Sequence, residues 1–332
     1  MTHLTGNILR TLPRARSVFA YGSAAFQQPG LYDATKTVQQ TPMLDIIIAA
    51  DNPVAWHHEN MATNGHHYSV IRCLGPSLMC ALCESIGRGV HFNPYASIGR
   101  QAIKYGVVST SALLRDLWSW DSFYVAGRLH KPVLFLVRDA AVDRAVAANI
   151  DAALAAALLL LPARFTAKAL MEAICGLSYA GDIRMRWGED ARKVQRIVEG
   201  SWAPLAQMFL PPMQGEVGQA AGLWPVNAGG ALCDLRQASQ LEQSMTPEHT
   251  ERLLSFLPGD LRDHVEGQAS AEKSSKPDVL RWRTAIAASM SAKLALIIRA
   301  SSIRQALWGV ASAGPHRAWQ YALAKARKGF KA

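Results

Sequence analysis

The chain has 332 residues, 35 Lys or Arg against 25 Asp or Glu, and a formal net charge of +10, with half of its residues hydrophobic. That length and apolar content bury a sizeable core, suggest two domains, and exclude a disordered or low-complexity polypeptide. The longest uninterrupted apolar run, Ala152 to Pro162, falls short of the roughly 20 residues needed to cross a bilayer, so no span is expected.

The N-terminus carries Arg10, Arg14 and Arg16 and no acid before Asp33, a composition similar to mitochondrial targeting segments. Alternatively, Pro13 onward already belongs to the first strand, leaving little to remove. That strand, Val18 to Ala20, runs through Tyr21 into Gly22 and Ser23, a small turn whose amides and hydroxyl suit a phosphate. A second apolar strand, Leu44 to Ala50, carries Asp45 near its start. Amides for an anionic tail and a hard oxygen for a divalent ion are the minimum equipment for a nucleoside triphosphate. Gly-Ser turns and strand-opening carboxylates are also common solvated loop ends, so the spacing alone leaves both readings open.

Pro53 suits a helix start, which places Trp56, His57 and Asn60 on adjoining turns of one face, as a core tryptophan with a capping histidine. Gly75 to Ile86 reads as helix, Ala102 to Ser109 as strand, Ser111 to Trp120 as helix and Pro132 to Arg138 as strand. The result is an α/β or α+β first domain of about 140 residues. Lys104, Arg128 and Lys131 lie in or near these strands, either as solvated face or as a converging anion pocket. The five cysteines, Cys73, Cys80, Cys83, Cys175 and Cys233, are an odd number in apolar surroundings, which argues for reduced thiols. Cys80 and Cys83 form a CxxC without the second pair a zinc site needs, and read as buried thiols.

The second half is mostly helical. Val142 to Leu161 reads as a long buried helix, Thr166 to Cys175 as a short one, and the loop that follows carries Asp182 and Arg184. Asp182 reads either as a helix cap or as a carboxylate delivered with Arg184 to a site formed with the first domain. Residues 213–245 show little periodicity and read as loops; Pro247 to Leu257 and Lys276 to Arg299 return to helix across a polar linker near Ser270.

From Val279 onward there are ten Lys or Arg and no Asp or Glu, so residues 1–278 are neutral by count and the tail holds all the net charge. Such a tail implies an extended anionic partner, nucleic acid or anionic lipid. In the last segment Trp319, Leu323, Ala326 and Phe330 fall on one helical stripe with Arg317, Lys325, Lys328 and Lys331 opposite, the pattern of a helix lying in a membrane interface.

Seven blocks in order, FAYGS, MLDIIIAADNPVAWHHEN with HYS, IKYGVVS, AGRLHKPV, LSYAGDIRM, GED and SSIRQALWGVASAG, resemble the mitochondrial phosphatidate cytidylyltransferases, the peripheral CDP-diacylglycerol synthases also called translocator assembly and maintenance proteins. The resemblance implies an α+β chain: a nucleotidyltransferase-fold domain with a mixed sheet at 1–140, a mostly helical, winged-helix-like domain at 141–300, and a basic amphipathic membrane-binding tail at 301–332. It implies CTP and phosphatidic acid as substrates, Mg²⁺ as cofactor, an anionic membrane surface as partner and no nucleic acid; a homo-oligomer is compatible with the chain. It also implies peripheral placement on the matrix side of the mitochondrial inner membrane, or on the cytoplasmic membrane face of a bacterium, with the product feeding cardiolipin synthesis.

Under that resemblance Tyr21, Gly22 and Ser23 bind the triphosphate, Asp45 and Asp182 hold the metal, and Lys36, Lys104, Arg128, Lys131 and Arg184 neutralise phosphates. The chain departs from the wider Gly-Ser…Asp-x-Asp pattern because Ile47 stands in the second acidic place. Asp51 lies six residues beyond Asp45, roughly 20 Å along a strand, so Asp182 is the expected second carboxylate. Two rival functions fit less of the sequence. An RNA-directed nucleotidyltransferase would use the basic tail, but its apolar residues form one stripe instead of interleaved stacking platforms. A non-enzymatic assembly factor would leave Gly22, Ser23, Asp45 and Asp182 without a role.

Overall fold

The computed structural model describes residues 2–22, 24–25, 43–99, 101–182, 192–226, 232, 235–270 and 278–313. It is α+β, with a mixed five-stranded sheet in the N-terminal half and helices packed on both of its faces. Helix α1 (Thr2–Thr11) leads into strands β1 (Ser17–Tyr21) and β2 (Leu44–Ala50). Helices α2 (Pro53–Asn64) and α3 (Gly75–Ile86) then precede β3 (His91–Ile98), β4 (Gln101–Ser109), helix α4 (Thr110–Ser119) and β5 (Leu134–Val137). The strand order is β3-β4-β2-β1-β5; only β2 and β4 run parallel.

Alternation along the strands fixes what each face holds. Val18, Ala20, Ile46, Ile48 and Tyr105 point into a core closed by Ile8 and Leu12 of α1 and Trp56 of α2. Phe19, Ile47, Ala49 and Val108 point the other way, into the larger core shared with the second half. Asp45 and Lys104 are on that second face, one residue from Ile46 and Tyr105 respectively.

The second half is built on α5 (Ala140–Leu160), whose residues Ala152 to Leu159 are all buried. Around it stand β6 (Arg164–Thr166), α6 (Ala167–Leu177), α7 (Lys193–Gly200), α8 (Trp202–Gln214), α9 (Glu216–Ala221), β7 (Trp224–Pro225), β8 (Gln240–Glu242), α10 (Pro247–Leu254) and α11 (Gly259–Ala269). β8 pairs antiparallel with both β6 and β7 in a second, small sheet. Two sequence expectations are corrected here. Residues 213–245 contain α9 and two strands, elements too short for periodicity to register, and β3 was not foreseen because Asn93 and Pro94 interrupt it where its register with β4 shifts.

The last described element, α12 (Val279–Ala313), is longer than the sequence pattern suggested and joins the two halves. Trp282, Ile286, Met290, Leu294 and Ile298 enter the main core, while Trp308 packs with Tyr68, Ile71, Met79, Cys80 and Cys83 against the N-terminal half. By length and composition its segment Val279–Ser312 is apolar enough to cross a membrane, which the search for uninterrupted apolar runs missed because basic residues punctuate it. Burial pushes the Cys80 thiol up to about 11 and raises Cys83 further, so the CxxC residues behave as small apolar side chains.

Candidate active site

Strand pairing builds the centre of the site. Tyr21, the last residue of β1, is paired with Asp45 in β2, and Asp45 is paired with Lys104 in β4. Lys104 Nζ lies 3.7 Å from Asp45 Oδ1. Gly22 follows Tyr21 at φ +81°, a left-handed conformation that turns the chain immediately beside the carboxylate; a Cβ there would stand 3.7 Å from Asp45 Oδ2. Burial raises the Asp45 carboxyl above its ordinary range, and the Lys104 and Arg128 charges pull the other way. A second cation at this carboxylate would therefore be favoured.

Aromatic rings carry the cations. The Arg128 guanidinium sits 4.0 Å from the Tyr124 ring centroid and 5.5 Å from that of Tyr21, and Nη1 donates to the Tyr124 carbonyl. Lys104 Nζ lies 4.7 Å from the Phe92 ring, which meets Tyr124 edge-on at 6.3 Å. Asp45, Lys104, Phe92, Tyr124, Arg128 and Tyr21 thus follow one another around a closed circuit. Within it, burial raises the Tyr21 phenol, so it stays protonated at neutral pH although Arg128 and Lys104 oppose the shift.

The Arg128 segment is held by Asp116 of α4, a buried carboxylate. It accepts hydrogen bonds from Ser122 N–H (3.1 Å), Ser122 O–H (2.8 Å), Val125 N–H (2.8 Å) and Ala126 N–H (2.9 Å). Four donors on one carboxylate fix the turn that presents Tyr124 and Arg128.

Lys131, on the same segment, is turned toward the second half. Its amine donates to Gly127 O at 2.6 Å and to Ser178 Oγ at 2.7 Å, and lies 5.1 Å from the Tyr179 ring. Lys193 of α7 approaches that ring too, at 5.3 Å. Three residues further on, Asp182 is only 4% exposed and its N–H donates to Tyr179 O at 3.2 Å. The preceding Gly181, at φ +75°, lies on the backbone of α12, where a Cβ would come 2.5 Å from Ala295 O.

The structure therefore gathers Tyr21, Gly22, Asp45, Lys104 and Arg128 into one cluster, and places Lys131 and Asp182 in a neighbouring one joined to it by residues 126–131. Ser23, Lys36 and Arg184 lie outside the described residues, as does the tail from residue 314. Asp51, set aside on spacing, is exposed and 3.5 Å from Arg16. Phe92, Tyr124, Asp116 and Ser178 were not foreseen; their roles arise from contacts between segments distant in sequence.

On the opposite face of the sheet a buried polar network stands behind β4. Asn60 Nδ2 donates to the hydroxyls of Tyr68 and Tyr105, each at 2.8 Å; His57 Nδ1 pairs with Tyr68 Oη at 2.7 Å, and His67 Nδ1 with Tyr105 Oη at 3.0 Å. His57 is thus a buried network member and not a helix cap, the cap of α2 being Asn52.

A hard-oxygen carboxylate of raised pKa beside cations that suit phosphate fits Mg²⁺, which takes one or two protein carboxylates and draws its remaining ligands from phosphates and water. Among the described residues there is no group of three or more His, Cys, Asp or Glu arranged to hold a metal without such help.

The family model described as phosphatidate cytidylyltransferase, mitochondrial, matches residues 5–328. Proteins of that name from Mus musculus and Bos taurus are 34% and 35% identical to the chain, each over 98% of it and over 94% and 93% of their own lengths. The Caenorhabditis elegans protein is 32% identical over 94% of both chains. With nearly the whole chain matched, by family and by individual relatives, it belongs to the mitochondrial phosphatidate cytidylyltransferase family of enzymes.

Proposed function

We propose that the protein transfers CMP from CTP to phosphatidate, giving CDP-diacylglycerol and pyrophosphate. The observation that carries this reading is the half-buried Asp45 carboxylate between Lys104 and the Gly22 turn, in a chain of this family. A phosphate oxygen of phosphatidate forms a bond to the α-phosphorus of CTP while the bond to the pyrophosphate oxygen breaks. The nucleophile is already an anion, so positioning and charge neutralisation carry the reaction and no strong base is needed.

In this reading the Gly22 turn and Ser23 bind the triphosphate, Tyr21 flanks it, and Lys104, Arg128, Lys131, Lys36 and Arg184 neutralise phosphate charge. Asp45 and Asp182 would hold Mg²⁺, which when bound offsets charge on the triphosphate and on departing pyrophosphate. The Arg128 guanidinium, stacked on Tyr124, is presented with little freedom to lose on binding an anion. Partners are CTP, phosphatidate and an anionic membrane, with the protein peripheral on the matrix face of the inner membrane and its product supplying cardiolipin synthesis.

The test incubates purified protein with labelled CTP, Mg²⁺ and phosphatidate vesicles. Lipid-soluble label is expected with the wild type and its loss in Asp45→Asn; label on added RNA instead would overturn the proposal.

A further inference from the structure

Helix α12 has two faces. The inner face is part of the fold: Trp282, Ile286, Met290, Leu294 and Ile298 are buried in the main core and Trp308 in the N-terminal half. The outer face bears Leu296 (66% exposed), Ile303 (38%), Leu307 (59%) and Val310 (61%). At 100° per residue these four positions fall within a strip about 60° wide and roughly 21 Å long. Lys293 and Arg304 lie along one edge of the strip and Arg299 along the other. At the far end, Ser69 Oγ donates to Ser312 O, which sets Val70, 71% exposed, beside the end of the helix.

We infer that this outer strip of α12, formed by the folded body and running from Leu296 into the start of the segment 301–332, is a docking face for an anionic lipid bilayer. Charge selects the occupant. No Asp or Glu occurs from Val279 to the end of the chain, and Lys293 and Arg299 stand on opposite margins of the strip, where lipid phosphates would meet them, while Arg304 is held by the carbonyls of Ser85 and Ile86. The buried inner face excludes the alternative of a transmembrane helix: only 33% of the apolar window is buried, yet that third is the core side chains, and withdrawing them into lipid would dismantle both halves.

The strip also lies behind the candidate site. Gly181, next to Asp182, rests on Ala295, and Ser301 Oγ donates to Ser122 O at 2.6 Å, on the turn that Asp116 fixes for Arg128. A bilayer on the outer face therefore lies across the helix, roughly 10 Å, from the Ser122 turn and beside the loop of Asp182. This placement rests on the proposed lipid substrate and would serve its delivery.

The experiment compares the wild type with the triple variant Leu296→Gln, Leu307→Gln and Val310→Gln in the full chain. The three side chains are exposed, so the fold is expected to survive, checked by an unchanged thermal transition. Flotation uses phosphatidylcholine vesicles with and without phosphatidylglycerol, an anionic lipid that is not the substrate; turnover is measured separately on short-chain, water-dispersed phosphatidate. The expected result is anionic-vesicle flotation reduced about tenfold or more in the variant, from loss of three buried apolar contacts, with short-chain turnover unchanged. Wild-type-like flotation of the variant would overturn the inference, as would a change in subunit number or thermal stability with flotation intact, which would assign the strip to a second copy or to the tail. Absence of CMP transfer by the wild type on short-chain phosphatidate would instead fail the proposed reaction and leave the flotation result to stand.

Discussion

Asp45 and Lys104 are register partners across the one parallel strand pair of the sheet, their charged atoms 3.7 Å apart. The lysine holds down a carboxyl that burial alone would push further up. Replacing Lys104 with Met should raise the Asp45 pKa further. Since the ionised form is the one that would hold a cation, the acid limb of kcat/KM, already above the ordinary carboxylate value, should move to higher pH. A pH-rate profile reads this directly, and an unmoved limb would remove Asp45 as its source. Asp45→Asn should lower kcat by about 100-fold or more at all pH values.

Asp116→Asn keeps the shape of the side chain but turns one acceptor oxygen into a donor facing N–H groups. It should destabilise the fold by about 2 kcal/mol and release the turn carrying Tyr124 and Arg128. Because Arg128 is assigned to phosphate, KM for CTP should rise more than kcat falls. Denaturant unfolding and steady-state kinetics on the same sample separate the two effects.

Gly181→Ala places a methyl group 2.5 Å from Ala295 O at a backbone φ of +75°. Steric overlap and strain together should destabilise by about 1–3 kcal/mol. Its neighbour Asp182 should move with it, so turnover is expected to fall even where the protein remains folded.

His91 is buried; its pKa is pushed down to about 4 by burial, against a smaller opposing pull from Asn93. The sign follows from linkage. Unfolded, the imidazole titrates near 6.5, so between pH 6.5 and about 4 the unfolded chain binds the extra proton and stability falls as pH falls. Burial costs nothing in charge above pH 6.5, and the full loss, about 3 kcal/mol, is reached near pH 4. His91→Phe should reduce this dependence, to which His57 and His130 also contribute through burial, and be neutral or stabilising at pH 7.5. An unchanged slope would show that His91 is not the titrating group.

Much of the site could be read from the chain. Tyr21, Asp45 and Lys104 sit on strands whose apolar alternation is plain, and Gly22 follows the first of them, so once the strands were placed, pairing brought these residues together. Phe92 escaped notice because Pro94 and a register shift obscure its strand, and Asp116 because an acid in an amphipathic helix reads as a solvated face until its four donors are seen. The His57, Asn60 and His67 network was visible only as residue types; its target, Tyr105, lies 45 residues from Asn60. The outer strip of α12 was hidden because periodicity shows an apolar face but not which face the fold covers.

Strand β4 must satisfy two incompatible neighbours at consecutive positions: Lys104 meets a carboxylate, and Tyr105 meets an amide and an imidazole. Sliding the strand by one residue would thrust an ammonium into a sealed neutral chamber and strand a phenol beside Asp45, so both surfaces would object at once. The sheet is thereby keyed like a lock with pins on either side, and the alignment chemistry needs is the one alignment the interior tolerates.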